Sequence, residues 1–431
     1  MSKHLGVSSR SRGRWLGPVT WLLLVIAVIW LGYEGWRLLF QSTPPDGLPA
    51  QGPGGAVDLS LRYIEVNGWF GGEPIYQMNS NAVYPPASYL ILWPFLGWLS
   101  FGAARWLWGL VVVVTLVPLL RNFVKSCGEL PPAERRFLLL VPLATYPVGA
   151  TVGNGQVGIM VLLCLLYCLP LLRTCASSWR RDTLIAAVFL IALVKPTLAA
   201  PFFWIVLFSA GGLRPAIMIA IGYLGLTVLS AIPQHASWSE LLRAWLSQGM
   251  EGARWGAKLG EGSIRIASDA ANGEGVVQIT GINLHCVLGF MGYGHMNMIA
   301  SLSAVIGVGI WVFVDRHRPI WLLLAVVAIV TRFYTYHGWY DDVLLLLPMV
   351  ALARLAGGLD GASGLMCRIA SGLFLAMLLF LLAPGGGYLL GYPWNNIYLV
   401  AQSLLWLGVL LFLAWGARCA PTSAAQFRAA S

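Results

Sequence analysis

Apolar runs recur along the whole of this 431-residue chain, many of them approaching the roughly 20 residues that cross a bilayer. A continuous apolar segment in lipid must satisfy its own backbone hydrogen bonds, and a helix does so within one segment. Charged residues make up only 10% of the sequence, against about a quarter in a soluble domain. So few charges cannot wet a surface of this size. The chain therefore reads as all-α and polytopic throughout, rather than as a soluble domain with an anchor. Its first apolar run, from about Trp15 to Phe40, is too long for a signal-peptide core and lacks a small-residue cleavage site, so it is expected to be a retained span.

The formal charge of +10 does not point to nucleic acid. Nucleic-acid binding wants one basic face. Here the basic residues form short clusters between apolar runs: Arg10, Arg12 and Arg14; Arg121, Lys125, Arg135 and Arg136; Arg173, Arg180 and Arg181; Arg316 and Arg318. That is the distribution of cytoplasmic loops under the positive-inside rule. The seven cysteines are scattered, with Cys164 and Cys168 one turn apart inside a span, and none has zinc-ligand spacing.

With the N-terminus inside, residues 41–83 form a first external loop, rich in Gly and Pro. Residues 85–100 are apolar but short and read as a re-entrant or interfacial helix; if they crossed, the later basic clusters would fall outside. Spans follow at about 104–121, 137–152 and 156–173. The run 183–210 is broken at Lys195-Pro196 into two short helices. A span at 213–232 leads to a second external loop, 233–283, with an in-plane helix at about 237–248. Further spans lie near 297–314, 319–334, 342–356, 365–382 and 397–417. The expectation is a bundle of about 12 transmembrane helices with external amphipathic helices: one domain over 1–418 and a cytoplasmic tail, 419–431. No internal repeat is visible.

The unusual polar residues fall mostly on the external side. Leu59, Arg62, Tyr63 and Val66 are spaced for one helix face. An in-plane helix there would hold Asp58 at its N-cap, the structural alternative to a catalytic role. Asn154 and Gln156 lie in a Gly153-Asn154-Gly155-Gln156 turn, where they are candidates for sugar hydroxyls; Asn-Gly is equally a plain turn sequence. Lys195, inside an apolar run, is costly and marks an anion or an aqueous path, unless it snorkels to the headgroups. A helix starting at Pro196 would favour an anion too, with phosphate a good candidate. Arg332, His337, Asp341 and Asp342 crowd into eleven residues among aromatics. Asp341 also suits a helix start. Adjacent Asp341 and Asp342 point apart on a helix and would not naturally share a metal ion.

In order, the chain carries Asp58, Gly72 and Tyr76, Tyr84-Pro85-Pro86 with Pro94, Gly155-Gln156, Lys195-Pro196, and Tyr340-Asp341 with Pro348. This series, over roughly 58–348, resembles the family-87 glycosyltransferases of the GT-C superfamily, which include polyprenyl-phosphomannose-dependent mannosyltransferases. The resemblance implies a GT-C-like bundle in the cytoplasmic (inner) membrane with an active site facing the periplasm or exterior. It implies transfer of a hexose, mannose favoured, from a polyprenyl-phosphate sugar to a lipid or glycan acceptor, with inversion. It also implies Asp58 as general base. No cofactor or metal is implied, because the lipid-linked sugar is itself the activated substrate. The expected partners are that donor, the acceptor and membrane lipids. A cation should meet the leaving phosphate: Lys195 first, Arg332 second. Gln156, Asn154, Tyr84, Tyr63, His337 and Asp341 complete the candidate substrate contacts. One departure stands out: many members carry His where this chain has Tyr340-Asp341, and His337 lies nearby but earlier. Two other classes share such substrates. A transporter or flippase would explain Lys195 but predicts internal symmetry. A polysaccharide polymerase or ligase would use loop arginines such as Arg254 and Arg265, beside Lys258.

Overall fold

The computed structural model describes residues 9–43, 54–79, 82–174, 176–249, 282–335, 337–359, 362–385, 387, 390 and 393–419. Arg254, Lys258, Arg265, Tyr336 and the tail from 420 onward lie outside these residues.

Among the described residues the chain is helical, with no strand beyond an isolated bridge between Thr145 and Leu382. Helix α1 spans Ser9–Leu39. Three short helices follow: α2 (Val57–Phe70), α3 (Ile75–Met78) and α4 (Pro86–Leu96). Next come α5 (Phe101–Ser126), α6 (Pro132–Leu143), α7 (Tyr146–Asn154), α8 (Gly158–Thr174) and α9 (Trp179–Ala192). After Lys195 lie α10 (Pro196–Ala199), a 3-10 turn (Ala200–Phe202) and α11 (Phe203–Phe208). Then follow α12 (Leu213–Ser230), α13 (238–249), α14 (Leu284–Phe290), α15 (Asn297–Val314) and α16 (Ile320–Tyr334). A 3-10 helix, Trp339–Leu345, runs into α17 (Leu346–Ala356). Helices α18 (Gly364–Leu381) and α19 (Trp394–Cys419) end the described chain.

Among the described residues, six segments are long and apolar enough to cross a membrane: Leu16–Leu39, Phe101–Ser126, Leu213–Ser230, Gly294–Val314, Gly364–Leu381 and Trp394–Gly416. They carry outward apolar stripes at helical spacing, such as Ile299, Leu302, Ile306 and Ile310 on α15 and Ile217, Ile221, Leu224 and Val228 on α12. Stripes of that extent mark a surface that meets lipid rather than water. The shorter apolar helices sit further in. From Leu322 to Ile329, every residue of α16 is buried, as is every residue of α17 from Leu346 to Leu352. A helix buried on all sides is apolar all round.

Hydrogen bonds fix which ends lie together. The Arg105 guanidinium, near the start of α5, donates to Leu38 O (2.6 Å) and Gln41 O (2.8 Å), so it closes the last carbonyls of α1. Hence α5 begins at the end where α1 finishes, and α2–α4 make no net crossing. Eleven-residue α4 is a short apolar helix within the segment 85–100. The Trp69 indole of α2 donates to Ser230 O at the end of α12 (2.7 Å). At the opposite end of the bundle, Arg181 donates to Gly211 O (2.9 Å), Arg214 pairs with Asp182 (3.1 Å), and Arg354 donates to Ser126 O (2.9 Å). The 26 residues of α5 separate the two ends by about 39 Å at 1.5 Å per residue. Helix α13, close to its expected place, closes over the loop before α4: Trp245 donates to Val83 O (2.9 Å) and Gln248 to Asn79 O (3.1 Å).

Candidate active site

The polar cluster forms at the α1–α2 end. Ala56 precedes α2 in the left-handed region (φ 53°), and its N–H donates to Gly153 O (2.9 Å). Helix α2 therefore starts at Val57, with Ala56 as its N-cap and no side-chain cap. The cap alternative for Asp58 does not hold: the residue lies inside the first turn, half-buried, and takes a side-chain hydrogen bond from Gln156.

Gln156 is presented by the turn after α7. Gly155 adopts φ +70°, and the N–H groups of Gly155 and Gln156 return to Val152 O (3.0 Å) and Thr151 O (2.9 Å). This is a Schellman closure, which needs a residue that tolerates φ > 0. A Cβ on Gly155 would also stand 2.5 Å from Leu59 Cβ, which is how closely the turn abuts α2. The Asn-Gly turn is thus real, and it serves to place the glutamine.

Lys195 lies between α9 and α10, with Pro196 opening α10. Its Nζ donates to Asp341 Oδ1 (2.7 Å), reaches Gln156 Oε1 (3.4 Å), and sits 5.1 Å from the centre of the Tyr340 ring. The snorkelling alternative is thereby excluded. As expected, a helical run opens at the proline; it continues through a 3-10 turn to Phe208. Asp341 Oδ2 meets His337 Nδ1 (3.1 Å), so the histidine lying four residues early is brought back into the cluster. An ionised carboxylate only accepts, so neutral His337 carries its proton on Nδ1. His337 Nε2 is buried without a hydrogen-bond partner among the described residues.

Electrostatics separates the two carboxylates. Burial pushes the Asp58 carboxyl above its usual range and Asp341 adds to the rise, against the pull of Gln156, Lys195 and Arg62. Burial acts on Asp341 in the same sense, but Lys195 and His337 outweigh it and hold it at about 2. Burial lowers His337 against the opposing pull of Asp341, which keeps the imidazole neutral. Asp341 is therefore a permanent partner of Lys195, while Asp58 is the more basic carboxylate.

Tyr84 lines the cluster through Arg62, whose guanidinium lies 4.2 Å from the ring centre and pairs with Glu65 (2.7 Å). Burial pushes Glu65 up to about 7 in spite of Arg62. Tyr76 donates to Tyr84 O (2.7 Å), so Gly72-x-x-x-Tyr76 and Tyr84-Pro85-Pro86 support one wall.

Three expected contacts lie elsewhere. Tyr63 donates to Leu99 O (2.9 Å) and packs on Phe101, its ring drawn to the start of α5. Asn154 accepts from Arg37 (3.2 Å), because a residue two before Gln156 leaves the turn on another side. Arg332 pairs with Asp342 in a layer behind the site, where Tyr146 also donates to Asp342 and Gln402 donates to Tyr146 (3.1 Å). The adjacent aspartates do point apart. Among the described residues no group of His, Cys, Asp and Glu is placed to hold a metal ion.

Sequence reasoning missed Glu34, Arg37, Glu65, Tyr146 and Gln402. The signal for Glu34 and Arg37 was present: charged residues inside an apolar run, the feature that singled out Lys195.

Fold and cluster together define a polytopic membrane protein, helical among the described residues, with a cluster of buried ionisable groups at one end of its bundle. The sequence profile of glycosyltransferase family 87 matches residues 82–334, more than half of the chain. The chain belongs to that family, and is a membrane glycosyltransferase. No curated protein and no solved structure matches it significantly. Tyr84, Gln156, Lys195 and Arg332 lie within the matched region; Asp58, His337 and Asp341 lie outside it and are joined to it by the contacts above.

Proposed function

We propose that this glycosyltransferase moves a hexose, mannose on the family resemblance, from a polyprenyl-phosphate donor to a lipid or glycan hydroxyl at the non-cytoplasmic face. The observation that carries the reading is the half-exposed, relatively basic Asp58, beside Gln156 and Lys195, at the end remote from the basic clusters. Twelve passes follow if α6–α7, α8, α9, α10–α11, α16 and the 3-10 helix with α17 cross as well. The acidic site then faces outward under the positive-inside rule.

In the proposed reaction Asp58 removes the acceptor O–H proton as that oxygen attacks the anomeric carbon. The bond from that carbon to the phosphate oxygen breaks, and its electron pair leaves with polyprenyl phosphate. Two of the three Lys195 N–H groups are directed at Asp341 and Gln156; the third remains for the developing phosphate charge. His337 Nε2 is an acceptor for a substrate hydroxyl. Attack from the face opposite the phosphate inverts the anomeric centre.

The test is purified wild type and Asp58→Ala, each given a polyprenyl-phosphate sugar and candidate acceptor lipids. Wild type should release polyprenyl phosphate; the variant should fold and release none. Full turnover by the variant would remove Asp58 as base. Cysteines placed at positions 58 and 125 test sidedness, and external labelling at 125 instead of 58 would reverse the topology.

A further inference from the structure

We propose that Arg37, paired with Glu34, is a positioning residue that holds both halves of the Asp58–Gln156 pair through a single guanidinium; this rests on Asp58 being the base. Arg37 Nη1 donates to Glu34 Oε2 (2.8 Å). Its Nη2 donates to Gly54 O (2.8 Å) and to Asn154 Oδ1 (3.2 Å). Gly54 lies four residues before Asp58, and Asn154 two before Gln156. One side chain thus ties the approach to α2 and the α7–α8 turn to the same point on α1.

The surroundings are built to that end. A Cβ on Gly55 would come within 2.0 Å of Arg37 O, and one on Gly153 within 1.7 Å of Glu34 Oε2. Both backbones are pressed onto α1 where the ion pair sits. Between them, Ala56 holds φ 53° and donates to Gly153 O (2.9 Å), a crosslink between the two segments. A left-handed alanine is disfavoured and persists only where its surroundings over-determine it. Burying Glu34 and Arg37 in a spanning helix is costly as well, and apolar residues of similar size would serve packing equally. Both costs are incurred against segments that lie within four residues of the proposed base or its hydrogen-bond donor.

The distinguishing variants are Glu34→Leu with Arg37→Met, which removes the pair without stranding a charge, and Asn154→Ala and Asn154→Asp, which touch one link only. Two readouts are taken on the full chain. One is kcat and KM against pH with a polyprenyl-phosphate sugar and acceptor. The other, independent of turnover, is the pH midpoint for carbodiimide labelling of Asp58, read by mass spectrometry. The double variant should lose on the order of 100-fold in kcat, the scale of a small misplacement of a reacting group, with KM nearly unchanged. Its labelling midpoint should rise, because Asp58 loses the Gln156 hydrogen bond. Asn154→Ala should move both readouts the same way by less, and Asn154→Asp should restore them. A folded double variant with unchanged kcat and unchanged midpoint overturns the proposal. So does a rise in KM alone for Asn154→Ala, which would make Asn154 a sugar contact. A wild-type chain that transfers no sugar would defeat the enzyme reading, while the labelling midpoint would still decide the role of Arg37.

Discussion

Gln156→Ala gives the sharpest test of the site's chemistry. The amide hydrogen bond is the largest influence holding the Asp58 carboxyl down against burial. A hydrogen bond to a charged group contributes about 1.5–3 kcal/mol, and 1.36 kcal/mol corresponds to one pH unit. Removing it should raise the Asp58 pKa further. The base acts ionised, so activity is lost as pH falls through that pKa, and the acid limb of kcat/KM should move toward alkaline pH. Below the wild-type midpoint the variant should be about 10–100-fold slower; on the alkaline plateau it should recover to within a few-fold, since its other contact, to Lys195, is long at 3.4 Å. Asp341, at about 2, does not titrate in the working range. Glu65, at about 7, does, so Glu65→Gln serves as the control. The assay is transfer of labelled sugar to acceptor lipid across pH. A limb that stays in place, moves to acid, or gives way to a uniform loss at every pH would refute the assignment.

Two further outcomes follow from the packing. Lys195→Met leaves Asp341 a buried carboxylate without its cation, held only, among the described residues, by the His337 hydrogen bond, and should cost about 3–5 kcal/mol; adding Asp341→Asn should recover most of that stability in detergent melts, and additive losses would show the pair to be uncoupled. Gly155→Ala meets both φ +70° and a 2.5 Å approach to Leu59 Cβ, so sugar transfer should fall with Asp58 intact; wild-type transfer would show that this contact does not place α2.

How much was legible follows from what a linear sequence can encode. Lys195 was visible because a cation in an apolar run has no cheap explanation, and its structural partner, Asp341, came from a second crowded segment. Gln156 was legible through its turn, since Asn154-Gly155 announces a reversal. A cap remained the structural alternative for Asp58 because nothing in Gly55-Ala56-Val57 signals a left-handed alanine, a conformation imposed by α1 and Gly153. Tyr63 and Asn154 lie in the right segments, but side-chain direction depends on neighbours distant in sequence, here Leu99 and Arg37. Glu34 and Arg37 escaped notice because an i,i+3 ion pair neutralises itself and leaves no net charge to place. The number of spans was the least legible feature. Helices such as α16, surrounded by protein, need not be long.

Asp341 and Asp342 show how a membrane chain accommodates two adjacent buried acids. On a 3-10 helix successive side chains diverge by about 120°, and each carboxylate meets a different set of helices. Asp342 joins Arg332 of α16 to Tyr146 of α7, which Gln402 of α19 holds in turn. Asp341 meets Lys195 at the α9–α10 break and His337 before the same 3-10 helix. Thr151 of α7, its hydroxyl shared between Pro147 O (2.7 Å) and Tyr340 O (3.1 Å), touches the backbone just before Asp341. The rear network therefore sets the position of the front carboxylate, which in turn holds the Lys195 ammonium within electrostatic reach of Asp58, the proposed base. A lysine free to reorganise would have to be aligned during each transfer. Held as it is, its alignment is built into the fold, which is the condition for electrostatic stabilisation of the departing phosphate in the proposed reaction.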